Sequence, residues 1–272
     1  MTVSHDAPSV DEERYLVPGL IRGLNILRAF SDDQSEMGVA EIARQVDVGR
    51  STAFRLVYTL EYCGFLQKVP GSKKYRLGTK VLELGFRFLS ELDIIEISRP
   101  HLQKLRDETE ASAHLAILDG KEIVYVARHN ARTRVTSNVG VGTRFPAHAT
   151  SSGRVLLSGL PITDVVNLYE DAALEAYTTS TATSLGDLIN QLSNDRQAGY
   201  VLSWGAFEEN LASIAAPVFD SSGSMIASIN ISCPMTAYAR DVFETDVLAN
   251  VIACGEAVSR SIGYAPPGSA RD

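Results

Sequence analysis

The sequence contains few residues of the kinds that build metal, disulfide or membrane sites. Its 272 residues include only three cysteines, Cys63, Cys233 and Cys254, and none of them has CxxC spacing. Neither a disulfide framework nor a zinc site is therefore predicted, and a reducing cytoplasm is the expected compartment. The five histidines are scattered, and no apolar run reaches the roughly 18 residues of a membrane-spanning helix. We expect no metal, no other cofactor and no membrane partner.

The common signatures of enzymes are also missing. There is no Gly-rich phosphate loop, and the segment ATSSGR at residues 149–154 does not match the GxSxG pattern of a nucleophilic serine. Cys233 can act as a nucleophile only if the fold brings His114 or His148 close to it. A Ser- or Cys-dependent hydrolase is therefore kept only as an alternative, and the protein is predicted not to be an enzyme.

Length and composition predict two domains. With 272 residues, of which 45% are hydrophobic, the chain can build two hydrophobic cores. Residues 1–17 and 265–272 are predicted to be flexible tails. The formal net charge is −8, so the chain as a whole is acidic.

The segment VGRSTAFRLVYTLEYCGFL, residues 48–66, predicts a helix with two different sides. Apolar residues recur at helical spacing on one side, at Ala53, Leu56, Val57 and Leu60. The opposite side carries hydroxyl and guanidinium groups, from Arg50, Ser51, Thr52, Arg55 and Thr59. Such groups donate hydrogen bonds to phosphates and base edges. The helix is therefore either an ordinary amphipathic helix or a recognition helix that enters a groove of DNA.

The flanking sequence favours the recognition helix. A short helix with apolar positions Val39, Ile42, Ala43 and Val46 precedes it, and the turn 47–49 contains a glycine, as in a helix-turn-helix. An earlier apolar helix from Leu20 to Phe30 can cover both. Strands 64–69 and 73–77 flank the turn 70–72, and Lys73 and Lys74 lie at its tip. We predict a winged helix-turn-helix domain over residues 18–77.

Charge supports the same prediction. Between Arg44 and Lys80 there are eight Lys or Arg residues and two acids, which gives this segment a net charge of +6 in an acidic chain. A basic segment of this kind is typical of a DNA-binding module, and double-stranded DNA is the predicted partner.

Residues 78–92 predict a linker helix with apolar side chains on more than one face, among them Leu82, Leu84, Phe86 and Phe88. Either a second copy of the chain covers this helix, or the helix is wedged between the two domains of one subunit. A homodimer or a dimer of dimers is the favoured assembly, because winged helices generally bind duplex DNA as dimers on two half-sites.

An α/β domain is predicted over residues 93–264. Two alternating apolar runs flank Asp119-Gly120, which indicates a hairpin, and strands are also expected at 135–141, 213–219 and 224–232. Helices are expected at 100–110, 151–160, after Pro161, from the capping box at Ser184 to Gly199, and at 240–262. The hairpins predict an antiparallel sheet covered by helices.

Two long patterns resemble a known family. The pattern GLNILRAF…EIARQVDVGRSTAFRLVYTLEYCGFL…KYRLGTKVLELG resembles the amino-terminal domain of IclR-family transcriptional regulators, and VGTRFPAHATSSGRVLLSGL…GYVLSWGAFEENLASIAAPVFDSSGSMIASINIS resembles their effector domain. The resemblance implies a two-domain fold, with a GAF-like effector domain whose curved antiparallel sheet holds a small molecule. Within the family, the chain looks most like regulators of aromatic-acid catabolism of the protocatechuate and β-ketoadipate kind. A purely architectural DNA-binding protein without an effector is the alternative.

The resemblance also implies an effector pocket. Carried over by position, it contains Phe145, Ser151, Ser152, Ser203, Leu211, Ser213, Asn230 and Ser232. Asn230 and Ser232 alternate with two isoleucines on one predicted strand, so both polar side chains face the same way. They need polar partners, and either a ligand or loop backbone can supply them.

One stretch departs from the family pattern. Members often carry acids after the Gly-Tyr pair, whereas this chain has Ser203 and Trp204 there and no carboxylate until Glu208. The loss of those acids favours an anionic ligand, and Trp204 is expected to form an aromatic wall of the pocket. Arg134 is either a clamp for a ligand carboxylate or a surface arginine.

Overall fold

The computed structural model describes residues 14–31, 33–90, 92–131 and 139–266. The chain divides between residues 91 and 92 into two compact units. The smaller unit is a winged helix-turn-helix domain, and the larger is an α/β domain with an antiparallel sheet, as the sequence predicts.

The smaller unit contains four helices and a three-stranded sheet within its described residues. In chain order the elements are α1 (Pro18–Arg28), β1 (Met37–Gly38), α2 (Val39–Gln45), α3 (Arg50–Tyr62), β2 (Leu66–Lys68), β3 (Lys74–Leu77) and α4 (Lys80–Ser90). Both β1 and β2 pair with β3 in antiparallel register. The two-residue strand β1 was not predicted from the sequence.

The turn between α2 and α3 follows from its own residues. Glu41 caps the amino terminus of α2, because its Oε2 accepts the backbone N–H of Gly38 at 2.7 Å. Asp47 takes a positive φ of 47°, which ends the helix, and the N–H of Val48 then donates to the carbonyl of Ala43 at 3.0 Å. The chain is thereby turned directly into α3.

The core of this unit confirms the predicted apolar side of α3. Ala53 and Val57 are fully buried, and Leu56 and Leu60 are half-buried. The core joins helices and sheet through Ile26, Met37, Ile42, Val57, Leu66 and Tyr75. The opposite side of α3 is therefore free to carry polar groups.

The described residues of the larger unit form ten helices and strands before the carboxy-terminal helices. They begin with α5 (Asp93–Thr109), β4 (Ser112–Asp119), β5 (Glu122–His129), β6 (Arg144–Pro146), α6 (Ser151–Gly159), α7 (Ile162–Tyr169), α8 (Leu185–Ala198), β7 (Val201–Trp204) and β8 (Leu211–Phe219). There follow β9 (Met225–Pro234), α9 (Arg240–Val242), a π-helical turn (Phe243–Val247) and α10 (Leu248–Ser261).

The six strands among the described residues of this unit form one antiparallel sheet in the order β6-β5-β4-β9-β8-β7. Helices α5 and α10 pack on one face, and α6 packs on the other, with α8 against α6 and α7 against α8. The Asp119-Gly120 hairpin is confirmed, Ser184 caps α8 by accepting the N–H of Asp187, and Gly199 ends α8 with a φ of 77°. The sheet thus presents alternate side chains of each strand to α6.

Two expectations of secondary structure have a different outcome. The predicted strand 135–141 lies partly outside the described residues, and residues 139–141 are not in a strand. The predicted helix 240–262 contains the π-helical turn. Across the described ranges, no helix is both long and apolar enough to span a bilayer.

Candidate DNA-binding face and effector cavity

The polar side of α3 is exposed. Arg50, Ser51, Thr52, Arg55 and Thr59 all lie on the surface. The hydroxyl of Thr59 donates to the backbone carbonyl of Arg55 at 2.9 Å, so its proton is used within the helix and its oxygen remains an acceptor. The face therefore offers guanidinium and hydroxyl donors at its amino-terminal half.

Two aromatic residues share this face, and the sequence interpretation missed them. Phe54 and Tyr58 are 54% and 63% exposed, and their rings lie 6.4 Å apart with an interplanar angle of 30°. The signal was present in the sequence, because at 100° per residue neither ring falls on the apolar side. The two rings therefore form an exposed apolar patch on this helix.

The wing is a tight hairpin that exposes two lysines. The N–H of Val69 donates to the carbonyl of Lys74 at 3.0 Å, and the N–H of Lys74 donates to Oγ of Ser72 at 3.1 Å. Gly71 has a φ of 72°, which suits this turn. Lys73 and Lys74 are exposed, so the hairpin presents two positive charges to solvent.

A cavity of about 460 Å³ lies on the α6 side of the larger sheet. Seven of the predicted effector residues line it, namely Phe145, Ser151, Ser203, Leu211, Ser213, Asn230 and Ser232. Residues that were not predicted also line it, including Ser112, Tyr125, Thr150, Phe207 and Tyr238. A volume of this size accommodates a small organic molecule.

Four serines form a row across the cavity floor. Strand register places Ser112 opposite Ser232, Ser232 opposite Ser213, and Ser213 opposite Ser203. We call these four residues the serine row. Because directly paired residues of adjacent strands project from the same face, the row sets four hydroxyl groups side by side. One of them, Oγ of Ser112, accepts the N–H of Ala131 at 3.0 Å.

Three rings form one side of the cavity. Tyr125 and Phe145 have centroids 5.9 Å apart, and Phe145 and Phe207 have centroids 5.1 Å apart, both in edge-to-face geometry. We call these residues the aromatic wall. Phe207 comes from the loop between β7 and β8, so this loop completes the wall.

The amino terminus of α6 opens at the same cavity. Thr150 caps the helix, since its Oγ1 accepts the N–H of Gly153 at 3.2 Å and donates to the carbonyl of Pro146 at 3.1 Å. Gly153 is required there, because a Cβ at this position would lie 2.2 Å from the carbonyl oxygen of Ala147. The loop before α6 packs tightly against the helix, and this places the positive end of the helix dipole at the cavity.

A buried polar cluster adjoins the cavity floor. The side-chain atoms Ser152 Oγ, Asn230 Oδ1 and both ring nitrogens of His114 are buried without a hydrogen-bond partner in the described structure. Burial raises the pKa of Tyr125 to about 12, and the side chains of Asn230 and Ser152 oppose this shift. Tyr125 thus stays a neutral hydroxyl at the cavity surface.

Three predicted effector residues are not among the described residues that line the cavity. The prediction that Trp204 lines the pocket is wrong, because neighbours on a strand face opposite ways and Ser203 faces the cavity. Trp204 instead donates through Nε1 to Glu244 at 3.2 Å and packs edge-on against Phe243. Ser152 is fully buried and does not line the cavity. Arg134 lies outside the described residues and stays a prediction.

Carboxylates lie at the cavity, although residues 203–206 carry none. Glu208, the first carboxylate after the Gly-Tyr pair, lines the cavity, and so does Glu110. Both residues are exposed, which places their carboxylates where water screens them. The acids therefore mark the solvent side of the cavity, and the serine row and α6 mark its interior.

The geometry gives the hydrolase alternative no support. Burial raises the pKa of the Cys233 thiol to about 11, so the reactive thiolate is disfavoured. His148 is held by the backbone carbonyl of Glu175 at 3.0 Å and by the ring of Tyr169. Within the residues that the structure describes, no cluster of three or more His, Cys, Asp or Glu side chains could hold a metal ion.

A basic winged helix-turn-helix and a second domain with a ligand-sized cavity define a DNA-binding protein that senses a small molecule. Comparison with known proteins gives the family. Residues 19–70 match the IclR helix-turn-helix domain, and residues 86–260 match the bacterial transcriptional regulator IclR C-terminal domain. The chain belongs to the IclR family of bacterial transcriptional regulators. It is thus a ligand-responsive regulator with an effector-binding domain, and not an enzyme.

Individual relatives span nearly the whole chain. The HTH-type transcriptional regulator XynR of Escherichia coli is 29% identical over 92% of this chain and 98% of its own length. The Pca regulon regulatory protein of Pseudomonas putida is 30% identical over 86% of this chain and 80% of its own. The crystal structure of an IclR homologue from Microbacterium hydrocarbonoxydans, complexed with 4-hydroxybenzoate, is 25% identical with a TM-score of 0.78, and covers 90% of this chain and 98% of that one.

Proposed function

We propose that the protein binds operator DNA as a homodimer or dimer of dimers through α3 and the wing, and that its cavity binds a small carboxylate with an aromatic ring. Ligand binding changes the affinity for DNA. One observation carries the effector part of the proposal: the serine row, the amino terminus of α6 and the aromatic wall all face one cavity.

The interior of the cavity suits an anion. The first N–H groups of a helix have no partner within the helix, and the helix dipole adds a partial positive charge there. Serine hydroxyls add donors that rotate toward a carboxylate. None of the described residues that line the cavity is Lys or Arg, so these neutral donors carry the recognition. Arg134 would add a cation to them.

The aromatic wall suits a planar ring. Edge-to-face and offset contacts between rings add about 0.5–1.5 kcal/mol beyond buried area. The complex of the Microbacterium homologue with 4-hydroxybenzoate and the similarity to a Pca regulatory protein support an aromatic acid for this chain. The similarity to XynR is equally strong, so the screen below includes non-aromatic acids.

The DNA half of the proposal depends on exposed charge. Arg50, Arg55, Lys73 and Lys74 are all exposed on one small unit that has the helix-turn-helix geometry. The proposed base contacts come from Arg50, Ser51, Thr52, Arg55 and Thr59 on α3, and the proposed backbone contacts come from Lys73 and Lys74 on the wing.

A matched ligand screen tests the effector proposal. Thermal stability of the full chain is measured with benzoate and 4-hydroxybenzoate, with the neutral amides of both, and with aliphatic and sugar acids. We expect stabilisation by one of the aromatic acids but not by its amide, since bound ligand stabilises the folded state. Equal shifts with acid and amide would contradict the anion site, and a response to sugar acids alone would contradict the aromatic preference.

DNA binding is tested with the same protein. Random duplexes are selected on the full chain, and the enriched sequence is used in gel shifts with and without the stabilising acid. We expect the acid to change affinity at least severalfold. A protein that binds DNA without sequence preference and responds to no small molecule would favour the architectural alternative.

A further inference from the structure

The exposed aromatic pair on α3 is unusual for a polar helix face. Phe54 and Tyr58 stack on each other and are each more than half exposed. At either of these exposed positions, Lys, Glu or Gln would cost the fold nothing. Two stacked rings in water instead expose a contiguous apolar surface, which marks an interaction site.

The pair borders the proposed reading face of α3. At 100° per residue, Phe54 and Tyr58 are about 40° apart around the helix, and Arg55 is about 60° beyond Tyr58. Ser51 falls between Tyr58 and Arg55. The rings therefore sit next to the donors that the proposed function assigns to base contacts.

Charge indicates which partner covers the rings. The segment from Arg44 to Lys80 has a net charge of +6, and Arg50 and Arg55 beside the rings are exposed. A second copy placed on this face would bring the same positive charge against it. A polyanion with apolar groups fits both features, and duplex DNA offers the thymine methyl group in its major groove.

We propose that Phe54 reads thymine methyl groups in the operator, with Tyr58 stacked beside it to orient the ring. The two ring centroids lie 6.4 Å apart, within the range of ring–ring contacts, so Tyr58 can restrain the Phe54 ring. This inference rests on the proposed binding of DNA by α3. It makes Phe54 a specificity-determining residue that adds apolar recognition to the hydrogen bonds of Arg55.

Uracil substitution tests the proposal without changing the protein. In the duplex selected on the full chain, each thymine is replaced in turn by uracil, which removes only the methyl group. We expect at least one replacement to lower affinity about fourfold, as expected for one buried methyl. If no uracil lowers affinity as much as twofold, the proposal is overturned.

Phe54→Ala then identifies the residue that reads the methyl. We expect this variant to bind the selected duplex about tenfold more weakly, to bind random duplex normally, and to show no difference between thymine and uracil. Tyr62→Ala is the matched control, because Tyr62 is an 87% exposed tyrosine at the far end of the same helix. The control should keep the full uracil effect.

The remaining outcomes are also decisive. A uracil effect that persists in Phe54→Ala would assign the methyl contact to another residue and overturn the proposal. A lower molecular mass of Phe54→Ala in light scattering would show an interface between copies and also overturn it. If selection enriches no sequence at all, the proposed sequence-specific binding of DNA is wrong. If a sequence is enriched but no uracil weakens binding, only the proposed methyl recognition by Phe54 is wrong.

Discussion

Arg154 on α6 and Asp195 on α8 form a two-pronged ion pair, with Nε to Oδ2 at 2.9 Å and Nη2 to Oδ1 at 2.6 Å. Their side chains are only 14% and 9% exposed. Burial raises the pKa of Asp195, and the Arg154 guanidinium opposes that shift. Because α6 begins at the cavity, the pair anchors the helix whose amino terminus faces the proposed ligand.

Arg154→Met should destabilise the larger domain strongly. The variant leaves the Asp195 carboxylate buried without its cation, and breaking a buried pair on one side costs about 3–5 kcal/mol. The measurement is the free energy of unfolding in urea. The double variant Arg154→Met with Asp195→Leu removes both charges and should recover much of the loss. Equal stability of the single and double variants would contradict this account.

His114 should make stability fall in mild acid. The side chain is 1% exposed, and burial lowers its pKa to about 4, with Arg128 adding to the shift and the nearby backbone of Asn230 opposing it. Between pH 6.5 and 4 the unfolded chain binds a proton that the folded chain excludes. The contribution of His114 to the free energy of unfolding is therefore fully present above about pH 6.5, and it decreases by about 3 kcal/mol as pH falls to 4.

His114→Asn isolates this contribution. Unfolding free energies of both proteins are measured from pH 7.5 to 4, and the variant should show a shallower decrease. Burial also lowers the pKa of His129, together with Arg106 and Arg99, so a decrease in the same direction remains in both proteins. Parallel pH profiles would show that His114 is not held neutral.

The parts of the fold that depend on local signals were predicted from the sequence. Helix α3 follows from the spacing of Ala53 and Val57, and the hairpin follows from Asp119-Gly120, because periodicity and turn chemistry act over a few residues. The serine row depends instead on register between strands that are distant in the chain. Ser112 and Ser232 are 120 residues apart, so only the folded sheet shows that they are paired.

The errors have a similar physical origin. Strand β7 was not predicted, so nothing indicated that Ser203 and Trp204 must face opposite ways. The choice of Trp204 assumed that an aromatic residue near the pocket enters it, whereas the structure pairs it with Phe243 and Glu244. The exposure of Phe54 and Tyr58 was not predicted, because aromatic side chains at helical spacing usually pack into a core.

Ser213→Phe should fill the cavity and abolish the response to ligand. Ser213 lies in the serine row and lines the cavity, so a phenyl ring occupies space there. Ser152 is unsuitable, because it is fully buried and a larger side chain would disturb packing. We expect no thermal shift with the acid found in the screen, and unchanged DNA affinity. Ser180→Phe, at an exposed position of the same domain, is the control and should keep the shift.

Polar replacement of Phe86 and Phe88 should weaken self-association. Both residues of α4 are more than half exposed, at 57% and 53%, as are Leu82 and Leu84. If a second copy covers this helix, Phe86→Ser with Phe88→Ser should give a lower mass in light scattering and weak binding to half-sites. An unchanged mass with intact folding would show that these side chains do not carry the assembly.

Arg55→Ala and the wing variants should separate specific from general binding of DNA. Arg55 is exposed near the middle of α3, and a base-edge arginine contributes about 1–3 kcal/mol of discrimination. The ratio of specific to random affinity should therefore fall for Arg55→Ala. Lys73→Ala with Lys74→Ala should instead weaken binding to every duplex and flatten its salt dependence, because phosphate contacts release counterions regardless of sequence. Gel shifts at several salt concentrations measure both effects. If Arg55→Ala leaves the ratio unchanged, α3 is not the helix that reads the bases.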